Sequence, residues 1–123
     1  MATPDVITLT GLRAIGYHGV FDFERREGQE FAVDLVVGLD MRPAARSDDV
    51  ADTVDYGSLA SDVVAIITGE PLNLIEALAE RIADAVLRYP LVQFVTVTVH
   101  KPSAPIPTEF SDVTVSITRE RRA

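Results

Sequence analysis

Residues 94–118 read FVTVTVHKPSAPIPTEFSDVTVSIT, and their side chains alternate with a period of two. Val95, Val97 and Val99 share one parity, and Thr96, Thr98 and His100 share the other, the signature of a half-buried β-strand. Lys101 falls on the valine parity, so a strand one residue longer aims an ammonium at the apolar side. Pro102, Pro105 and Pro107 then stop the ladder and stiffen a turn. Val113, Val115 and Ile117 resume the alternation opposite Thr114, Ser116 and Thr118. The chain is organised around this unit of strand, lysine, proline-rich turn and strand.

Lys101 is the only lysine, and ten arginines carry the remaining positive charge. Either the composition favours arginine and the lysine is incidental, or an ammonium is needed at this strand end. An ammonium shifts its pKa on burial and exchanges protons, which a guanidinium effectively does not.

With 123 residues, 47% hydrophobic and 24% charged, the chain has the size and composition of one ordinary globular domain, taken as residues 1–123. Its apolar stretches are too short to cross a bilayer. No basic region followed by an apolar one opens it, so no secretory signal is expected. The absence of cysteine excludes disulfides, thiolate nucleophiles and cysteine-ligated metal, and fits a cytoplasmic protein. The net charge of −8 and the lack of a basic stripe argue against nucleic acid. The mixed tail Arg119-Glu120-Arg121-Arg122 reads as a solvated end, and no glycine-rich phosphate loop is present.

The first strand covers residues 6–15, with Ile7 and Leu9 against Thr8 and Thr10, and Gly11 marks a bulge or close approach. Gly16-Tyr17-His18-Gly19 is a loop, and Phe21 to Gln29 is a turn or a single helical turn. The second strand, Phe31 to Met41, is the clearest element and should pair antiparallel with the first. Pro43 to Val54 is a long acidic connection without periodicity. A helix capped by Asp55 buries Leu59, Val63, Ile66 and Ile67, and ends at Gly69 and Pro71. A second, starting near Asn73, buries Leu74, Leu78, Ile82 and Val86 and closes at Tyr89-Pro90.

The order β-β-α-α-β-β predicts an α+β domain: a four-stranded antiparallel sheet with two helices on one face. The other face should show Thr8, Thr10, Asp34, Thr96, Thr98, Thr114, Ser116 and Thr118, polar enough for water or a wet interface. Two open sheet edges make oligomerisation through strands an expectation.

Five further residues are weighed for chemistry against plainer readings. Glu76 stands three residues after Asn73, which is a capping-box spacing, yet a carboxylate beside free helix N–H groups can also grip an amidine-like edge. Glu24, beside Arg25, Arg26 and Glu27, reads first as a solvated loop acid. Tyr56 follows the cap Asp55 and reads first as a packing residue. His18 and His100 are the only histidines, so a three-histidine zinc site cannot form within one chain; His100, on the polar parity, can be simply solvated.

In order and spacing, five motifs resemble the dihydroneopterin aldolase family over residues 5 to 119. They are Gly16-Tyr17-His18-Gly19; Glu24 with Gly28-Gln29 and Phe31; Asp52-Thr53-Val54-Asp55-Tyr56; Asn73-Leu74-Ile75-Glu76 with Leu78-Ala79-Glu80-Arg81-Ile82; and His100-Lys101-Pro102 with Ala104-Pro105-Ile106-Pro107. Thr108-Glu109-Phe110 departs from relatives that often carry glycine first. The resemblance implies the tunnelling fold, in which four sheets join into a barrel and two rings stack as a homo-octamer with active sites between subunits. It implies retro-aldol cleavage of 7,8-dihydroneopterin, a folate-pathway step, with no cofactor and no metal because the substrate's own C=N bond accepts the electrons. Lys101 would transfer a proton at ring N5, Tyr56 would relay one from a neighbouring subunit, and Glu24 would position Lys101 or a water. Glu76 would anchor the pterin's amino-pyrimidinone edge, with backbone groups near Ile75 and Val54. Epimerisation to dihydromonapterin and oxidation by oxygen are side reactions the resemblance brings with it.

Two rival readings fit the same residues. A triphosphate epimerase would want more basic residues, although Arg25 and Arg26 are available. An inert pterin-binding scaffold would keep the fold and lose nothing in turnover when Lys101 is removed. The zinc-dependent pterin synthase, which needs three histidines, is excluded within one chain.

Overall fold

The alternation resolves into four strands, β1 (Asp5–Gly16), β2 (Gln29–Leu39), β3 (Phe94–His100) and β4 (Thr114–Glu120), in a computed structural model that describes residues 5–121. They form one antiparallel sheet in the order β1-β2-β3-β4. Arg122 of the mixed-charge tail lies outside the described residues. Between the hairpins run α3 (Tyr56–Ile67) and α4 (Ile75–Leu87), giving the expected β-β-α-α-β-β frame. The single helical turn allowed for Phe21 to Gln29 is the six-residue helix α1 (Asp22–Glu27); a second, α2 (Arg42–Ser47), is added, with a 3₁₀ turn at Val50–Asp52. The stretch expected to be a long connection is therefore largely helical.

Parity decides the layers. Phe31, Val33, Leu35, Val37 and Leu39 of β2 and Val95, Val97 and Val99 of β3 are fully buried. α3 lies over β1, and α4 lies over β3 and β4. Leu59, Val63 and Ile67 of α3 and Leu78, Ile82 and Val86 of α4 meet the strand residues in one core. Each such Leu, Ile or Val contributes about 1.5–3 kcal/mol by leaving water. Opposite, Thr96 pairs with Thr118 at 2.8 Å and Thr98 with Ser116 at 2.7 Å, hydroxyl to hydroxyl across β3 and β4. That is the polar face expected from the sequence.

The bulge in β1 has a definite cause. Ile7 and Leu9 face the core on odd positions, but Leu12 and Ala14 face it on even ones. One residue must be inserted to switch parity, and the register slips between Leu9 and Leu12, where only Asp34 stands opposite. Gly11 takes the positive φ of 73° that this requires, and its N–H donates to the Asp34 carboxylate at 2.8 Å.

Two boundaries differ from expectation. β2 ends at Leu39, and Met41 instead stands as the N-cap of α2, because Arg42 folds back on Asp40 and Pro43 occupies the first helical turn, where no N–H is needed. α3 is capped as expected, with Asp55 accepting from Gly57 and Ser58. α4, however, starts at Ile75 behind Leu74, and no side chain caps it. The Asn73 side chain is engaged elsewhere, accepting a bond from Arg25.

Leu35→Ala should cost about 2–5 kcal/mol of unfolding free energy in urea titrations, whereas Thr98→Ala on the polar face should cost about 1 kcal/mol or less. Equal losses would contradict the assignment of faces.

Candidate active site

Lys101 follows the last residue of β3, and its backbone N–H still bonds to the Val113 carbonyl at 2.8 Å. The ladder thus runs one residue further, and the parity carries the ammonium toward the helices. There it meets Glu24, Nζ to Oε2 at 2.8 Å, with side-chain exposures of 12% and 1%. Glu24 is therefore no solvated loop acid. α1 turns it inward, where it accepts the Phe21 N–H at 3.2 Å and the Gln29 amide at 2.9 Å. Burial works to raise the Glu24 carboxyl, but the bonds from Lys101, Gln29 and Phe21 outweigh it and hold the group below the ordinary glutamate range. Gly19 admits the carboxylate: any Cβ there would collide with it.

A second tie closes the region. His18 is fully buried, with Nε2 donating to the Ile67 carbonyl at 2.8 Å and Nδ1 accepting from the Leu72 N–H at 3.0 Å. Its ring stands edge-on to Phe31, centroids 5.2 Å apart. Gly19 N–H adds a bond to the Leu72 carbonyl at 2.9 Å, and Arg25 bridges the Gly19 carbonyl to Asn73. The segment that carries Glu24 is so fastened to the start of α4.

Between these parts lies a cleft of about 360 Å³. Glu24 and Lys101 form its floor, Ile75 and Glu76 one side, and Phe21 and Ile106 contribute apolar walls. Glu76 is exposed at the first turn of α4, where the leading backbone N–H groups have no helical acceptor. Chemically this is a proton-exchanging cation beside a buried carboxylate, with a second carboxylate and free N–H donors set to bind a flat, polar edge.

The family model described as FolB: Dihydroneopterin aldolase matches residues 7–118. The chain belongs to the dihydroneopterin aldolase family. It is 57% identical over 117 residues to the dihydroneopterin aldolase of Streptomyces coelicolor, covering 95% of this chain and 98% of that one. It is 43% identical over 118 residues to that of Bacillus subtilis, at 95% and 98% coverage. Among solved structures, Escherichia coli dihydroneopterin aldolase in complex with neopterin matches with a TM-score of 0.85 and 33% identity, covering 94% of this chain and 98% of that one.

Of the residues singled out by family resemblance, the fold brings Glu24, Ile75, Glu76 and Lys101 to one cleft. Tyr56 and Val54 do not line it. Tyr56 is 62% exposed at the start of α3, and the Val54 side chain is packed in the core. The capping reading of Glu76 falls away, since Leu74 and not Asn73 precedes the helix. His100 is not merely solvated either: its ring sits between Asp34 and Asp112. Sequence reasoning gave Gln29 no role, although its place after Gly28 in the Glu24 motif was visible. Among the described residues no group of three or more His, Cys, Asp or Glu side chains is arranged to hold a metal ion, and no helix is long and apolar enough to cross a membrane.

The two histidines respond oppositely to pH. Burial depresses His18 below 6.5, so its contribution is complete above that value and is lost as pH falls through the depressed pKa. The bonds to Asp112 and Asp34 raise His100, so its contribution is complete below 6.5 and is lost as pH rises through the raised pKa. His18→Gln retains a donor and an acceptor but cannot titrate. Its urea midpoint should therefore fall less than that of the wild type from about pH 7.5 to about pH 5. Parallel midpoints would show that His18 is not held neutral.

Proposed function

We propose that the chain is a 7,8-dihydroneopterin aldolase of folate biosynthesis, releasing 6-hydroxymethyl-7,8-dihydropterin and glycolaldehyde by metal-free retro-aldol cleavage. The observation that carries this is the Lys101–Glu24 contact at 2.8 Å on the floor of a cleft whose rim presents Glu76. Membership of the family and the likeness to the E. coli enzyme that holds neopterin support it. The chain acts as one domain, residues 1–123, in the cytoplasm.

The pterin lies with its amino-pyrimidinone edge on Glu76, which accepts two N–H bonds, and backbone groups at Ile75 of the same chain and at Val54 of the neighbouring subunit that brings Tyr56 complete the grip. The C2′ hydroxyl gives up its proton, and the C1′–C2′ bond breaks to leave glycolaldehyde. The electron pair forms a C6=C1′ double bond as the ring C6=N5 bond opens, and Lys101 supplies the proton to N5. Loss of that N5 proton and protonation at C1′ then yield the product. Glu24 keeps the Lys101 ammonium aimed at the ring nitrogen. Tyr56 exchanges the proton of the substrate hydroxyl and of the enol-like intermediate. Recombination of that intermediate with the aldehyde on its other face yields the dihydromonapterin epimer.

Tyr56 reaches the cleft of a neighbouring subunit in this reading. Its exposure and its absence from the lining of its own cleft support that, as do the two open sheet edges, β1 and β4. Edge strands pair to close a barrel, and stacked rings give the homo-octamer.

Glycolaldehyde release from 7,8-dihydroneopterin, assayed with chelator present, should persist in the wild type and fall about 10²–10⁴-fold in Lys101→Ala. No release by the folded wild type would refute the aldolase reading and favour a triphosphate substrate or a binding role. Mixing Lys101→Ala and Tyr56→Phe subunits should restore about a quarter of wild-type activity if each site draws both residues from different chains and subunits assort at random. Mixtures no better than the separate variants would place both residues in one chain.

A further inference from the structure

On the sheet face opposite the cleft, four groups form a chain of bonds across the strands. Gly11 N–H of the β1 bulge donates to Asp34 Oδ1 at 2.8 Å. Asp34 Oδ2 meets His100 Nε2 at 2.6 Å, and His100 Nδ1 meets Asp112 Oδ2 at 2.7 Å. A neutral imidazole has one N–H and would leave one carboxylate facing a lone pair. With a carboxylate at each nitrogen, both must carry protons, and the ring is an imidazolium. Asp34 is held below the usual range in turn: burial opposes this, but the bonds from His100 and Gly11 overcome it.

Asp112 gives this network its reach. It stands at the end of the 101–113 segment, whose Ala104, Pro105 and Ile106 form a wall of the cleft. Short local backbone bonds run within the segment, and three contacts hold its base: Lys101 N–H to the Val113 carbonyl, the Lys101 ammonium to Glu24, and His100 to Asp112. The backbone bond cannot titrate at ordinary pH, and the Glu24 carboxylate is held below its usual range. The imidazole can titrate.

We propose that His100 is a positioning residue for substrate binding: as an imidazolium held between Asp34 and Asp112, it pins the base of the 101–113 segment to β2 and so fixes the cleft wall beside Lys101. The inference rests on the function proposed above and deepens it, adding a pH dependence of pterin affinity that arises on the far face of the sheet. The charged groups around the ring are Asp34 of β2, Asp112 of the segment, Glu30 of β2 and Arg13 of β1. The bonds to Asp112 and Asp34 favour the cation and outweigh burial, which opposes it, so the clamp is intact at lower pH and released as His100 deprotonates above 6.5.

The test is the affinity for neopterin, which needs no turnover, measured by fluorescence titration of the wild type, His100→Gln and Asp112→Asn between about pH 5 and pH 8. At the acid end His100→Gln should bind about tenfold more weakly than the wild type, and the gap should close toward the alkaline end. Asp112→Asn, which keeps the imidazole but removes one carboxylate, should shift the wild-type transition to lower pH, and it carries the test if His100→Gln does not fold. Wild-type and variant curves that superimpose, or that stay a constant factor apart at every pH, would overturn the clamp. Wild-type protein that binds no neopterin at any pH would overturn the proposed function itself, and the clamp with it.

Discussion

A lysine turned to the apolar side of a sheet needs a counter-charge, and much of the site follows from that requirement. Lys101 and Glu24 are almost wholly withdrawn from water, and desolvating two charges costs several kcal/mol each unless the remaining lone pairs and protons are satisfied. Glu24 meets this condition with bonds from Gln29 and the Phe21 N–H as well as Lys101. Those bonds require α1 to start at Asp22, Gly19 to leave room, and the segment to be tied to Leu72 through His18. The loop motif from Gly16 to Gly19 is thus the foundation of a buried ion pair, and the pair in turn sets the position of the cleft beside α4.

The sheet and its two long helices could be read from the sequence because periodicity reports burial directly. Parity alone aimed Lys101 inward, and Gly11 could be read as a bulge or a close approach; the register slip between Leu9 and Leu12 makes it a bulge. α1 and α2 were not legible in the same way. Six residues hold less than two helical turns, too few for a repeat, and such short helices persist only through contacts made elsewhere in the fold. Glu24 looked solvated for a related reason: its charged neighbours are adjacent in sequence, while its partner Lys101 is distant. At Asn73 a local rule lost to a tertiary contact, because Arg25 takes the side chain that would have capped α4. The grouping of Glu24, Glu76 and Lys101 came from family resemblance; no periodicity contains it.

The histidines make the same point about environment. His18 is enclosed by backbone groups that want one donor and one acceptor, so it stays neutral. His100 is flanked by two acceptors, so it takes a second proton. Nothing in either tripeptide distinguishes these outcomes. Asp34 and Asp112 share the polar side of the sheet with His100, but only the register of β2 against β3, which sets Asp34 diagonal to His100, makes the pairing possible.

Strand β3 divides its duties by parity. Val95, Val97 and Val99 build the core, and the next odd position delivers Lys101 to the cleft; the even positions build the polar face and end at His100. Adjacent residues thereby serve opposite faces, and a change in the 101–113 segment is felt on both. Tyr56 lies outside this arrangement. It stands exposed at the head of α3, while its proposed partners sit in a cleft it does not line. A tyrosine with 62% of its surface in water gains little by packing within its own chain, and β1 and β4 both leave backbone groups unpaired. Closing those edges with further copies of the chain would satisfy the strands and give Tyr56 a place to act. On the proposed reading, catalysis therefore belongs to the assembly, and the single chain holds the proton-transferring lysine and the pterin anchor without the relay that completes them.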